Sequence, residues 1–428
     1  MNKNSKVILL SFLKSVFRNS TPIFLSKSVL SISFFLLAIL IVRRLGLTEF
    51  GKYSICISLY SIFELVSFLG LDNFILREVS KDLSQASKFL SQGLILGIFS
   101  TAFFYLATLL ISNLMFYPSE IKSIIYVLSI ALFPAYINTL CEVLFISVQK
   151  AKYVFYVSLV REIFLLLLSI MFLFIFHSLY LVMLAIIISR IIGGLLYFYF
   201  LAKIGIKASL GIDPVFFKNI CKVIPTFVLI SIFSTIFLEA DMLILSKTTA
   251  IADVGIYGIA KRILRMMFIF TYSIITALFP VISHSYHVSK WQFLSLFRTS
   301  FKNIFFLSSS LVVIALLFSP CFISIFFGKD FIHSVSVTRV LVFSIVPLSL
   351  IFLFSRFLIV ANCQRQDLLA LVIGLVSIVL LGISMSLSWG YIGMSIAVVI
   401  STVILFSAQY LFVQADVIKP TLIHLREQ

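Results

Sequence analysis

Eleven charged side chains fall inside stretches of this sequence apolar enough to cross a bilayer. Six are basic, Arg161, Arg190, Lys261, Arg262, Arg265 and Arg356, and five are acidic, Glu64, Glu142, Glu162, Glu239 and Asp241. A charge at bilayer depth costs a few kcal/mol at least, so it persists only where it faces protein, water, a partner charge or a ligand. Two kinds of chemistry are open to such a set. Guanidinium and ammonium groups can neutralise and grip an anion, Arg with forked donors and Lys as a point charge. A carboxylate at depth can exchange a proton or a cation. The majority of basic groups points to a path for an anionic cargo.

The elements that must position these groups are membrane helices. The chain has 428 residues, 61% of them apolar and only 11% charged, with mean hydropathy +1.18; a soluble domain carries about 25% charge. Phe is abundant at 47 residues, as suits lipid-facing and helix-packing surface. The net charge of +17 reads as basic cytoplasmic loops facing anionic lipid heads, not as a nucleic-acid site. The N-terminal apolar run, Val7 to Phe17, is broken by Lys14 and has no small-residue cleavage site after it. It reads as an amphipathic interfacial helix.

Twelve hydrophobic stretches of suitable length run near 22–42, 53–71, 89–112, 122–148, 153–176, 180–202, 223–246, 255–283, 302–325, 339–361, 367–387 and 390–414. The fold class is therefore an all-α polytopic membrane protein with about 12 transmembrane helices. With the N-terminus inside, 20 Lys and Arg fall in inside segments and 7 in outside ones, which places both termini in the cytoplasm. An internal repeat is visible. Phe50-Gly51-Lys52-Tyr53 is matched by Val254-Gly255-Ile256-Tyr257, and Pro134 in span 4 by Pro347 in span 10. The copies lie six helices apart, so the halves are parallel repeats. They give an N-terminal lobe at 1–202 (the interfacial helix and helices 1–6), a cytoplasmic linker at 203–222, and a C-terminal lobe at 223–428 (helices 7–12 and a short tail).

Several motifs have plain structural readings. Gly46 to Lys52 spells GxxxxGK, but Tyr53 stands where a P-loop needs Ser or Thr. Gly46 and Gly51 read as turn glycines between two helices. Cys56, Cys141, Cys221, Cys321 and Cys363 form no CxxC, and His284 and His287 have no third ligand nearby; no metal site or disulfide framework is expected. Gly93 and Gly97 form a GxxxG for close helix packing. Lys261, Arg262 and Arg265 share an arc of about 100° at the start of span 8, with Arg265 about 15 Å inside. That cluster suits a phosphate; snorkelling to the outer interface is the alternative for all three, and weighs least for the deeper Arg265. Glu239 and Asp241, two apart on span 7, point in roughly opposite directions, and the span 8 cluster is an obvious partner for them. Glu64 and Arg190 are deep, Arg161 and Glu162 lie about 12 Å into span 5, and Arg356 and Glu142 lie nearer the cytoplasmic ends of their spans. Structural ion pairs are an open reading for each. Lys27 sits near the inner end of span 1.

Arg43 to Tyr53, Gly70-Leu71-Asp72 and Arg77-Glu78 in the first half carry a resemblance. So do Pro225, Asp241 to Leu245, Val254 to Tyr257, Ala260 to Ile263, Pro280, Phe326 to Lys329 and Gly390 to Met394 in the second. The whole chain resembles the polysaccharide transporter branch of the multidrug/oligosaccharidyl-lipid/polysaccharide exporter superfamily, and is most similar there to Wzx-type O-antigen flippases. The resemblance implies two six-helix lobes around a central cavity and alternating access. Its implied cargo is an undecaprenyl-diphosphate-linked oligosaccharide, carried to the outer leaflet of the bacterial cytoplasmic (inner) membrane. No cofactor is implied beyond a H+ or Na+ gradient. Membrane lipids, a glycan polymerase and a chain-length regulator are the implied partners. The matching positions for the diphosphate are Arg265, Arg262 and Lys261, with Lys27; for the coupling ion they are Glu64 and Asp241. Depth alone adds Arg190, Arg161 and Arg356 to the first set; Glu239 and Glu142 join the second as neighbouring acids.

Three other functions compete with this reading. A drug/cation antiporter of the same superfamily favours acidic and aromatic cavity residues, whereas basic ones are the majority here. A membrane-embedded polymerase, ligase or acyltransferase needs a large outer loop or a polar catalytic cluster, and outer loops reach only about 14 residues. No enzymatic activity is expected. A non-transporting scaffold would have little use for buried charges.

Overall fold

A computed structural model describes the backbone of residues 3–208, 213–328 and 331–419. The side chains of residues 3–20 and 214–227 and of Asn73, Arg77, Pro280 and His287 lie outside what it describes. The expectations for the amphipathic face of the N-terminal helix, for Pro225, Pro280, Lys218, Lys222, Lys329 and Arg426, and for a His284–His287 pair therefore lie outside the described residues.

The described residues are helical, with no strand among them. Inside lipid this is what backbone satisfaction requires. The helices are α1 (Lys3–Ser67), α2 (Leu71–Lys81), α3 (Ala86–Leu114), α4 (Ser119–Ser129), α5 (Leu132–Ser147), α6 (Lys152–Ile175) and α7 (Leu179–Lys203). They continue as α8 (Pro214–Thr248), α9 (Ile251–Val288), α10 (Lys290–Phe326), α11 (His333–Leu341), α12 (Ile345–Val360) and α13 (Gln364–Phe412). Hydroxyls within them return their protons to the preceding turn, as Thr108 does to the Phe104 carbonyl at 2.7 Å and Ser308 to that of Ile304 at 2.7 Å.

Among the described residues, ten helical stretches are long and apolar enough to cross a membrane. Two of them, Thr21–Ser67 with 47 residues and Gln364–Ile418 with 55, are each two helices joined at a glycine whose backbone is not helical. Gly46 has φ 85° and ψ −178°, and Gly390 has φ 57° and ψ −137°. A straight helix of that length would run roughly 70–80 Å, against about 30 Å of hydrocarbon. The sequence map divides both stretches at these glycines. A Cβ at Gly46 would meet nothing within 4 Å, so the backbone angle, not space, calls for glycine there.

The chain divides into two compact units, Met1–Leu40 with Cys56–Ile232, and Ile41–Ile55 with Phe233–Gln428. In the first unit, Phe68, before α2, joins Tyr136, Leu140, Phe145 and Tyr197 in a buried core that takes in α2, α3, α5, α6 and α7. In the second, Phe293, Phe297, Phe354 and Phe357 stack and tilt against one another between α10 and α12.

The internal repeat is visible inside each unit. The stretch holding Pro134 is two helices, α4 and α5, with the proline third in α5; α11 and α12 place Pro347 third in α12. Neither proline costs a hydrogen bond there, because the first turn of a helix has no partner for its N–H groups. The two copies also end alike. Gln149 has φ 58° and Asn362 has φ 60°. The next amide reaches back to a carbonyl over the same span, Lys150 to Phe145 at 2.8 Å and Cys363 to Leu358 at 2.8 Å.

A second trace of the duplication lies within the second unit, where residues 41–55 pack on the start of α9. A Cβ on Gly51 would lie 2.1 Å from the Ile251 carbonyl oxygen, and one on Gly255 would lie 2.4 Å from that of Leu47. The contact is reciprocal between equivalent positions of the repeat. Gly51 is thus a close-packing glycine, not the turn glycine its spacing suggested; the turn belongs to Gly46 alone. Gly255→Ala is expected to destabilise the protein by about 1–3 kcal/mol, because a rigid backbone cannot yield. Gly194, where a Cβ would find 3.6 Å of room, is the control. Thermal unfolding in detergent checks this: the Gly255→Ala midpoint should fall and the Gly194→Ala midpoint should hold or rise.

Candidate functional site

The α8–α9 hairpin turns in two residues, Thr249 and Ala250. A turn this short makes the helices antiparallel neighbours, so residues equally far from it lie at equal depth. Glu239 and Asp241 on α8 accordingly meet Tyr257, Lys261 and Arg265 on α9. The last three are four residues apart and share one helix face.

Lys261 is the centre of the network. Its Nζ lies 2.5 Å from Asp241 Oδ1 and 3.2 Å from Glu239 Oε2, and donates to the Leu238 carbonyl at 2.8 Å. Asp241 also accepts from the Tyr257 hydroxyl at 2.7 Å and from the Met242 amide at 2.7 Å. Glu239 Oε1 accepts from Arg265. Two carboxylates on opposite sides of α8 can meet one ammonium because the long Lys261 stem reaches between them. Lys261, Glu239 and Asp241 are buried, at 6%, 5% and 6% exposure, whereas the Arg265 side chain is 38% exposed. Arg265 is thus the most exposed cation of this network.

Arg262 points about 100° away on the helix. It donates to the Tyr53 hydroxyl at 3.2 Å and lies 5.4 Å from the centre of that ring. The basic cluster therefore separates: Lys261 and Arg265 meet on Glu239, and Arg262 turns to Tyr53. Arg356 on α12 lies 4.7 Å from the Phe352 ring and 5.4 Å from that of Phe279.

The first unit holds a second network. Lys27 of α1 pairs with Glu142 of α5 at 2.7 Å. Arg161 pairs with its neighbour Glu162 on α6 at 2.9 Å, and Arg190 of α7 pairs with Glu64. Neutral residues frame them. Ser26 and Ser158 share a 2.6 Å hydrogen bond, Asn138 donates to the Arg190 carbonyl at 2.9 Å, and Arg190 lies 5.5 Å from the Tyr60 ring. Gly193 makes space for Arg161, since a Cβ there would be 3.0 Å from both Arg161 Cδ and Asn138 Oδ1.

All five sequence-predicted carboxylates have cationic partners: Glu64, Glu142 and Glu162 in the first unit, Glu239 and Asp241 in the second. Ion pairs form at Glu64 with Arg190, at Glu142 with Lys27 and at Arg161 with Glu162, where the sequence left that pairing open. The first network balances three cations against three carboxylates. In the second, Lys261 and Arg265 meet Glu239 and Asp241, two against two, and Arg262 lies apart on Tyr53. Charge and depth did not flag the neutral partners Tyr53, Tyr257, Asn138, Ser26 and Ser158, nor Asp367, a buried carboxylate at the start of α13. Among the described residues no group of three or more His, Cys, Asp and Glu is arranged to hold a metal.

Three kinds of comparison bear on this architecture. The model of a family described as polysaccharide biosynthesis protein matches residues 6–286. No curated protein matches the chain significantly. Among solved structures, the chain is similar to the lipid II flippase MurJ in an inward closed conformation. The TM-score is 0.76 at 17% identity, over 95% of this chain and 89% of that one. It is similar to an inward-facing multidrug resistance MATE family transporter of the MOP superfamily, with TM-score 0.72 and 15% identity over 90% and 95% of the two chains. A MOP superfamily transporter from Pyrococcus furiosus matches with TM-score 0.67 and 16% identity over 94% and 96%. These likenesses establish the fold, and the family match covers well over half the sequence. The chain is a multi-pass membrane protein with the fold of the MOP superfamily transporters, and it belongs to the polysaccharide biosynthesis protein family.

Proposed function

We propose that this protein is a flippase that carries an undecaprenyl-diphosphate-linked oligosaccharide, an O-antigen repeat or a similar glycan, from the cytoplasmic to the outer leaflet. It works in the bacterial inner membrane by ion-coupled alternating access, with twelve crossings and both termini in the cytoplasm. It catalyses no covalent step. Family membership supports a polysaccharide pathway, and the fold is shared with a lipid II flippase. The observation that carries the reading at the site is Arg265, a part-exposed guanidinium held by a buried carboxylate. A diphosphate leaving headgroup water needs charge neutralisation and several donors, and a guanidinium offers five while staying ionised. Glu239 orients Arg265 between loads and gives way to the stronger anion.

The drug/cation antiporter reading is weaker on the same geometry. A cationic drug would have to displace Lys261 from two carboxylates that already satisfy it. The test is complementation of a strain lacking its own flippase, scored by surface glycan. Restored glycan supports the reading; none, with the protein in the membrane at normal level and several glycan types tried, rejects it. Reporter fusions check the topology. Fusions after Gln428 and within 203–222 should report cytoplasm, and fusions near Phe116 and Phe331 should report outside. An outside report from 203–222 contradicts the twelve-crossing map.

A further inference from the structure

Asp367 is a charged side chain that the two networks leave aside. It is the fourth residue of α13 and only 1% exposed. Its two oxygens are held by neutral donors on two other stretches of helix. Oδ2 accepts from Ser355 of α12 at 2.7 Å, and Oδ1 accepts from the Gln409 side-chain amide, near the far end of α13 beyond the Gly390 bend, at 2.6 Å. Gln409 is itself 1% exposed, and its Oε1 has no hydrogen-bond partner.

That pattern fits two protonation states. With Asp367 ionised, Gln409 donates through Nε2 and its own oxygen goes unmatched. With Asp367 protonated, the carboxylic acid has a proton to donate. Rotation of the Gln409 amide then presents Oε1 to receive it. Each state satisfies the shared bond, and the amide rotates between them. The carboxylate sits in the first turn of a helix with two neutral donors on its oxygens, and Arg356 follows Ser355 in the chain. Of the elements packed around it, α12 presents Arg356 and Ser355, and the end of α13 presents Gln409. The stretch Val413–Ile418 that follows α13 carries Asp416.

We infer that Asp367, with Gln409 and Ser355, is a proton-binding site that links the two arms of α13 to α12 and takes up and releases a coupling proton. The step is the binding of one proton to the carboxylate, with no other bond formed or broken. A proton on Asp367 removes a negative charge from the surroundings of Arg356, so protonation and anion binding near Arg356 favour each other, by the same factor in both directions. This rests on the proposed ion-coupled transport and names one of its coupling residues.

Infrared difference spectroscopy of the purified full-length protein tests it without any cargo. Between about pH 3 and about pH 9, a range spanning ordinary and buried carboxyl titrations, a carboxylic-acid band should appear as pH falls. Asp367→Asn should abolish that band. Gln409→Ala should move its frequency, because Gln409 is the partner of the acid proton, and this variant serves as well if Asp367→Asn folds poorly. No band sensitive to either substitution, or one that stays constant over the whole range, overturns the proposal, since Asp367 then holds a single protonation state. A titrating band in a protein that moves no lipid-linked glycan would refute the proposed cargo and leave this site standing.

Discussion

Arg265→Ala is expected to abolish export of the glycan while the protein still inserts at normal level. Arg265 makes its ion pair from a part-exposed position, so its loss leaves Glu239 still paired with Lys261 and the hairpin intact. The cargo loses a charge-assisted, forked contact worth about 2 kcal/mol or more, roughly thirtyfold in affinity. Arg265→Lys should restore only part, because the fork is gone. Lys261→Ala should behave differently. It strips the shared partner from two buried carboxylates, a loss of about 3–5 kcal/mol, so the protein level itself should fall. Complementation scored beside a membrane blot separates the two. Wild-type glycan from Arg265→Ala at equal protein level would remove this residue from the cargo site.

Glu64→Gln is expected to impair gradient-driven transport by about tenfold or more at unchanged expression. Glu64 is the carboxylate partner of Arg190 and is 27% exposed at its side chain, against 13% for Arg190. The amide keeps the size and one hydrogen bond but loses the charge. It thereby fixes the site in its neutral form and weakens a charge-assisted bond worth about 1.5–3 kcal/mol. Transport into proteoliposomes under an imposed proton or sodium gradient is the measurement. Full activity in the variant would place Glu64 in the structure and not in the coupling.

Much of this architecture can be read from the sequence, because hydropathy reports depth and the helical period reports face. Gly46 and Gly390 stand where long apolar runs must bend, and Pro134 and Pro347 mark equivalent breaks in the two halves. The short α8–α9 turn made Lys261 and Arg265 foreseeable partners for Glu239. What those signals lack is the rotation of one helix against another. Lys27 and Glu142 are 115 residues apart, and no spacing rule joins them. Gly51 looked like a turn because its close approach to Ile251 is a tertiary fact. Asp367 sat at the edge of an apolar run, where a carboxylate reads as a loop charge. Its burial depends on Gln409, a neutral residue 42 positions away.

The most direct test of the central claim is leaflet transfer by the purified protein. The full-length chain is reconstituted into liposomes carrying a fluorescent undecaprenyl-diphosphate-linked oligosaccharide, and its exposure to a membrane-impermeant quencher is followed over time. The account predicts gradient-dependent movement of the lipid in wild-type vesicles, none above protein-free vesicles with Arg265→Ala, and no movement of a lipid-linked sugar lacking the diphosphate. Equal movement of lipids with and without the diphosphate, or equal rates in wild-type and Arg265→Ala vesicles, would contradict it.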